Sequence, residues 1–321
     1  MLDSQWWNSV VEKWPNRTHW RVAMHPNQLE IEPETVQDLV ADQFPHWRGL
    51  AVRPVTSHGT VNKVFRLGER LVLRFPLEPG PPDEKRAWLV AEADLARSLL
   101  GRMPVATPVP VALGEPGRGY PLAWAVYGWL PGTDAATASV GHSHQFACDV
   151  AAFVQALRRQ DTGGRTFDGP GRGGSLSSHD EYVASCLGRS RGLIDVEALA
   201  RLWGRLRETP RAGAKDVWTH GDLMPGNLLA EDGRLVAVID VGGLAPADPA
   251  LDLMPAWNLM EAGPRRAFRE ALAVDETEWA RGQGWALVQA IGCLYYYRVT
   301  NPVMSATAHR TLEALLDELE Q

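Results

Sequence analysis

The segment Trp218-Thr219-His220-Gly221-Asp222-Leu223-Met224-Pro225-Gly226-Asn227, followed by Val238-Ile239-Asp240, carries the most information in this chain. It sets an acid, an amide and a second acid at a spacing suited to phosphoryl transfer. Asp222 would take the proton from an attacking hydroxyl, and Asn227 and Asp240 would hold Mg²⁺ against nucleotide phosphates. Such a reaction asks for positioning and charge neutralisation rather than covalent chemistry from the protein. His220-Gly221-Asp222 alone is a weak pattern, which a polar structural turn would also satisfy. The continuation strengthens it. An apolar strand Asn227-Leu228-Leu229-Ala230, a turn at Asp232-Gly233 and a return strand Leu235–Ile239 form a hairpin that ends in Asp240. A hairpin brings its two strand ends together, so Asn227 and Asp240 can share one cation.

Upstream, the period of the apolar residues changes twice. Residues 31–44 read as a helix with Val36, Leu39, Val40 and Phe44 on one stripe. Residues 50–55, 61–67 and 70–76 read as strands of an antiparallel meander turning at Gly68-Glu69. A helix is predicted over 83–100, ended by Gly101 and Pro104, then strands over 108–114 and 122–127. Gly128-Trp129-Leu130-Pro131-Gly132 punctuates the chain and is the candidate hinge. Beyond it the pattern is mainly helical: 142–159, 180–189, 195–207, 248–261, 264–273, 276–299 and 305–320. The expected organisation is α+β: residues 1–127 a nucleotide-binding lobe with an antiparallel sheet, 128–132 a hinge, and 133–321 a helical lobe with the catalytic loop and substrate site.

Composition narrows the partners. The 321 residues are 45% hydrophobic and 22% charged, as in a soluble globular protein, and the net charge of −7 argues against nucleic acid. Cys148, Cys186 and Cys293 are scattered and form neither a disulfide framework nor a zinc motif. No apolar run reaches membrane-spanning length and the N-terminus lacks a basic-then-apolar leader, so a reducing cytoplasm is expected. The thirteen Trp residues, with Trp6, Trp7, Trp14 and Trp20 clustered at the start, are best read as packing groups. Oligomeric state is not legible.

The catalytic stretch resembles the aminoglycoside phosphotransferase family, antibiotic kinases that share the protein-kinase fold, and the resemblance extends over nearly the whole chain. It implies a bilobal protein-kinase-like fold, Asp222 as catalytic base, Asn227 and Asp240 as Mg²⁺ ligands, and His220 as a support of the loop. Relatives commonly carry an aromatic and one glycine after the metal aspartate, where this chain has Val241-Gly242-Gly243; the Val241 side chain is expected to point into packing. The resemblance also implies a third-strand Lys touching the phosphates and paired with a helix Glu. Arg74 stands at the Lys position and Glu92 is its expected partner. Arg grips phosphate and carboxylate with a planar fork, unlike Lys. In the family the segment 123–132, here with Tyr127 and Trp129, crosses between lobes and reads the purine edge through its backbone, which leaves ATP and GTP equally open as donors. Trp279–Leu287 and Tyr295–Pro302 look like an actinobacterial subgroup.

Three further segments carry expectations. Ser57-His58-Gly59-Thr60-Val61-Asn62, read alone, is an ordinary hairpin turn; the kinase-like order of elements makes it a phosphate contact through backbone N–H groups and small hydroxyls. The formal GxGxxG in Gly169–Gly174 lacks a preceding strand and contains Pro170, so it is not a dinucleotide fingerprint. Its loop, with Arg172 and the neighbouring His179, Asp180 and Tyr182, reads as a substrate-side flap. Asp248 suits a helix N-cap before Pro249, with substrate contact as the second reading, and Asp252 is expected to brace the catalytic loop. The expected function is transfer of the γ-phosphate of ATP or GTP to a hydroxyl of an antibiotic: an aminoglycoside, a macrolide, a peptide or a nucleoside such as a capuramycin-like compound. Acidic and basic residues are about balanced over 134–211, which weakens the polycationic choice. A metabolic kinase for choline, an amino acid or a sugar, and a non-catalytic nucleotide-binding regulator, are the alternatives.

Overall fold

The computed structural model describes residues 28–55, 59, 61–169, 171–211 and 213–318. The four early tryptophans, Ser57, His58 and Thr60 lie outside the described residues. Helix α1, Pro33–Gln43, buries Val36, Leu39 and Val40. Strands β1 (Val52–Pro54), β2 (Asn62–Leu67) and β3 (Leu71–Pro76) follow, then helix α2 (Pro82–Leu99), β4 (Pro110–Gly114) and β5 (Trp124–Gly128). They form one antiparallel sheet in the order β1-β2-β3-β5-β4.

The strand period of two decides which side chain meets what. Phe65, Leu67, Leu73, Phe75, Trp124 and Val126 point to one face and pack with α1. Phe75 stacks on Trp124 with ring centroids 4.8 Å apart. Arg74, between Leu73 and Phe75, is thereby sent to the opposite face. Ala125 and Tyr127 lie on that face too and join Leu89, Ala96 and Leu99 of α2 in the main core. The sheet register pairs Arg74 with Ala125.

The chain leaves the sheet after Gly128 and enters a helical lobe. Its elements are β6 (Thr133–Asp134), α3 (His144–Arg158), α4 (Asp180–Arg189), α5 (Val196–Leu206), β7 (Val217–Thr219), β8 (Leu228–Glu231), β9 (Arg234–Val238), β10 (Ala245–Ala247), α6 (Pro255–Asn258), α7 (Ala262–Leu272), α8 (Glu276–Tyr296) and α9 (Pro302–Asp317). Helix α8 is buried along most of its length, from Trp279 to Leu294. Gly282 and Gly284 admit Leu253 and Leu176 so closely that a Cβ at either glycine would lie 2.8 Å and 2.7 Å from them. The two lobes also touch away from residues 128–132. Ala106, between α2 and β4, donates its N–H to Val236 O and accepts from Val238 N–H, both at 3.0 Å, and so adds one residue to the edge of β9.

The single helix expected over 248–261 is not formed. A 3₁₀ segment covers Pro249–Leu253 and the short α6 begins at Pro255. Pro255 has no N–H to continue a helix through this point, and Asp248 and Asp252 are bonded elsewhere. The three short strands β6, β7 and β10 carry too few residues for any period to register. All three cysteines are free thiols. Among the described residues no helix is long and apolar enough to cross a membrane.

Candidate active site

The loop that carries Asp222 is held at both ends by backbone pairing. Strand β7 leads into it and pairs antiparallel with β10, which follows Asp240, in the register Thr219–Ala245 to Val217–Ala247. Gly221, with φ +75°, supplies the left-handed turn that the loop needs. The Asp252 carboxylate, only 1% exposed, accepts the N–H of His220 and of Gly221 at 2.8 Å each. Burial pushes the Asp252 pKa up, while the two N–H groups act in the opposite direction.

The bonds of His220 identify its tautomer. Nδ1 accepts the N–H of Asp222 at 3.3 Å, so the proton resides on Nε2, which donates to Ile239 O at 3.0 Å. His220 is therefore a bridge from the loop of Asp222 to the residue immediately before Asp240. Asn227 Nδ2 donates to Asp222 O at 2.8 Å and to Asp222 Oδ2 at 3.3 Å. Hairpin β8–β9 pairs Leu228 with Val238, which puts Asn227 and Asp240 at the same end. Asp240 itself takes a left-handed φ of +61° and is 46% exposed, as is Asp222. Val241 is buried in the core.

Arg74 and Glu92 form a buried ion pair. The other Arg74 nitrogen, Nη2, donates to Asp240 Oδ1 at 2.8 Å, a contact the sequence did not suggest. Burial raises the Glu92 pKa against the opposing pull of Arg74. Burial works to lower the Arg74 pKa, but Glu92 and Asp240 outweigh it and hold the guanidinium firmly charged. The Tyr127 ring lies beneath Arg74 with 5.7 Å from the guanidinium carbon to the ring centroid, and burial, then Glu92, pushes its phenol up. Gly242 lets the turn after Asp240 lie against α2: a Cβ there would sit 2.5 Å from Glu92 Cγ.

Of the residues expected to meet nucleotide, Gly59 is exposed, and the Asn62 Oδ1 is buried without a protein partner. Trp129 stacks under Arg66 at 4.6 Å. The N–H groups of Gly128 and Trp129 are both used inside the protein, on Val109 O and Arg70 O at 2.9 Å and 2.8 Å. Of the residues expected on the acceptor side, Arg172 reaches Asp222 Oδ1 through Nη2 at 3.2 Å across 50 residues of sequence. Asp180 is engaged by Arg207 and by Trp203 Nε1, the latter at 3.0 Å, which holds its pKa below the usual range. Asp248 is 1% exposed; it caps the 3₁₀ segment through Ala250 N–H, pairs with Arg281 and accepts from Trp285 Nε1 at 2.7 Å. It is thus a buried strut with no surface to offer a substrate. Asn258 Nδ2, also not anticipated, donates to Leu223 O at 3.1 Å from beneath the loop. No local pattern announces such long-range bonds.

Residues 52–285 match the model of the phosphotransferase enzyme family, APH. The chain belongs to that family. Among solved structures, family-like folds recur at low identity. The GDP complex of wild-type aminoglycoside 2'-phosphotransferase-IIIa superposes with a TM-score of 0.69 at 17% identity, over 90% of this chain and all of that one. The ADP-bound aminoglycoside phosphotransferase APH(2'')-Ib gives 0.55 at 16%, over 89% and 99%. The macrolide 2'-phosphotransferase MphH from Brachybacterium faecium gives 0.56 at 22%, over 87% and 98%. No curated protein sequence matches the chain. The bilobal kinase-like fold of the family, antiparallel sheet first and helices after, is the fold of this chain.

Proposed function

We propose that this phosphotransferase moves the γ-phosphate of ATP or GTP to a hydroxyl of a small-molecule antibiotic, and so protects its host from that compound. The observation that carries the reading is the His220–Ile239 bond, which couples the loop of Asp222 to the hairpin end of Asp240. Asp222, half exposed, accepts the hydroxyl proton; Arg74, fixed by Glu92, faces the phosphates. Asn227 and Asp240 suit Mg²⁺. The Asn227 NH₂ is spent on Asp222, which leaves its amide oxygen, and with the Asp240 carboxylate this gives two hard oxygen donors. Among the described residues no group of three or more His, Cys, Asp or Glu forms a self-sufficient metal cage. That matches a cation which takes one or two protein oxygens and completes its shell with phosphates and water. When bound, the ion would neutralise charge developing on the phosphates.

The acceptor-side carboxylates named from the sequence are all engaged by arginine: Asp222 by Arg172, Asp180 by Arg207, Asp248 by Arg281. Such pairs leave few free anions for a polycation, so the reading favours a macrolide, peptide or nucleoside acceptor over an aminoglycoside. The test is mass spectrometry of antibiotics of these four classes, with choline, amino acids and sugars alongside, each incubated with protein, Mg²⁺ and ATP or GTP. Addition of one phosphoryl group to an uncharged or weakly charged antibiotic is expected. Phosphorylation confined to aminoglycosides, or to the metabolites, would overturn the acceptor assignment.

A further inference from the structure

We propose that Arg172 is a catalytic arginine supplied in cis, which leaves Asp222 during turnover to bind the phosphoryl group in flight; the proposal rests on the phosphotransfer reading above. The need is visible in the loop itself. From Asp222 to Asn227 it holds Leu223, Met224, Pro225 and Gly226 and no basic side chain. Charge in the transition state spreads over three equatorial phosphoryl oxygens, and cations must face them. Arg74 stands on the Glu92 side of the cleft, and Arg172 is the guanidinium in contact with the base.

The glycine-rich loop that bears Arg172 is built to present it. Gly173 has φ +127°, and a Cβ there would lie 2.6 Å from the Ala247 Cβ; one at Gly174 would lie 2.9 Å from the Phe167 ring. Gly173 O accepts the Asp248 N–H at 2.9 Å, and Gly174 O accepts from Arg281 Nη2 at 3.3 Å. The buried Asp248–Arg281 pair and Trp285 thus anchor the loop from below. Gly173 and Gly174 serve close packing, and the long side chain of Arg172 just before them reaches Asp222.

The resting contact of Arg172 is incomplete. One nitrogen bonds one Asp222 oxygen at 3.2 Å, without the two-point fork that a tight pair makes, and Nη1 is buried with no partner. Burial, then Arg172, holds the neighbouring His179 pKa down, and burial pushes the Cys293 thiol up to about 12, so neither adds a competing charge. A guanidinium one hydrogen bond from the base is also within reach of the hydroxyl that the base activates. In the step, the acceptor oxygen forms its bond to Pγ and its proton passes to Asp222. The bond from Pγ to the β-phosphate oxygen breaks, its electron pair staying on the diphosphate. Arg172 donates to an equatorial oxygen of the group between them.

The test uses the full chain with ATP, GTP and Mg²⁺, water being the acceptor where no other is found. Arg172→Ala should lower kcat by about 10³-fold or more while leaving the nucleotide KM within a few-fold, and Arg172→Lys should retain part of the rate. ADP or GDP with aluminium fluoride, which imitates the transferring group, should bind the unaltered chain far more tightly than Arg172→Ala. A kcat for Arg172→Ala within tenfold of the unaltered chain would overturn the proposal. So would a slow variant that binds the aluminium fluoride complex normally, since Arg172 would then only position Asp222. Should Arg172→Ala not fold, the same two measurements on Arg172→Lys decide. No turnover of either nucleotide by the unaltered chain, with water or any acceptor, would overturn the phosphotransfer reading instead.

Discussion

Replacing Arg74 by methionine keeps the stem of the side chain and strands Glu92, whose side chain is 2% exposed. Removing one partner of a buried pair costs about 3–5 kcal/mol, because the other charge stays buried and alone. Glu92 can escape by taking up a proton, and that sets a ceiling. From an ordinary glutamate pKa of about 4.3, neutralisation costs about 3.7 kcal/mol at pH 7 and about 1.6 kcal/mol at pH 5.5, at 1.36 kcal/mol per unit. The sign follows from the raised Glu92 pKa. The native state binds more protons than the unfolded one between the ordinary and the raised value, so stability falls as pH rises through that window. In Arg74→Met the window widens upward, because the group that opposed burial is gone. Urea unfolding at both pH values is the assay, with roughly 3–4 kcal/mol of destabilisation expected at pH 7 and about half of it at pH 5.5. Arg74→Met with Glu92→Gln should recover most of the stability and lose the pH dependence, yet still bind nucleotide weakly by calorimetry. A loss below about 1 kcal/mol at pH 7, or an equal loss at both pH values, would refute the reasoning.

Asp222→Asn should lower turnover by roughly 10²–10⁴-fold with nucleotide affinity nearly intact, measured by steady-state kinetics and calorimetry; turnover within a few-fold of the parent would remove Asp222 from the mechanism. Asp240→Ala should abolish the dependence of nucleotide binding on Mg²⁺, read by titration with and without the ion; an unchanged dependence would move the metal elsewhere. Asp252→Ala orphans the buried His220 N–H, at roughly 1–3 kcal/mol, and the half-buried Gly221 N–H, and should slow turnover more than it weakens nucleotide binding. Stability and rate both unaffected would mean that the loop is held by its other bonds.

The legible parts were those written in a local period or a fixed spacing. The apolar stripe of α1 and the alternation of β2 and β3 named the first core, and the alternation around Arg74 made its face predictable. Asp222, Asn227 and Asp240 sit on one loop and one hairpin, so spacing alone foretold their approach. The partners that cross the fold were not legible. Arg172 meets Asp222, Arg74 meets Asp240 and Arg281 meets Asp248 over separations that no window spans. Asp248 was read first as a cap, which it is, but substrate contact stayed open for it and for Asp180 because a carboxylate in sequence carries no sign of the arginine that a distant segment brings to it. The 248–261 segment misled for a related reason: its helical composition is overridden by Pro255 and by tertiary bonds to both aspartates.

The strand-like contact of Ala106 with β9 has a mechanical consequence. The sheet lobe is attached to the helical lobe along the chain at residues 128–132 and again, through two backbone hydrogen bonds, at Ala106. A plate fixed at one point can tilt and spin; fixed at two, it can only swing about the line joining them. The far side is held as well, by Arg74 on Asp240 and by Gly242 packed on Glu92, so the line through the first two contacts becomes an axis only where those contacts part. Asp222, Asn227 and Asp240 lie on one side of that line, tied to one another through His220 and the Asn227 amide, and would keep their spacing in any such swing.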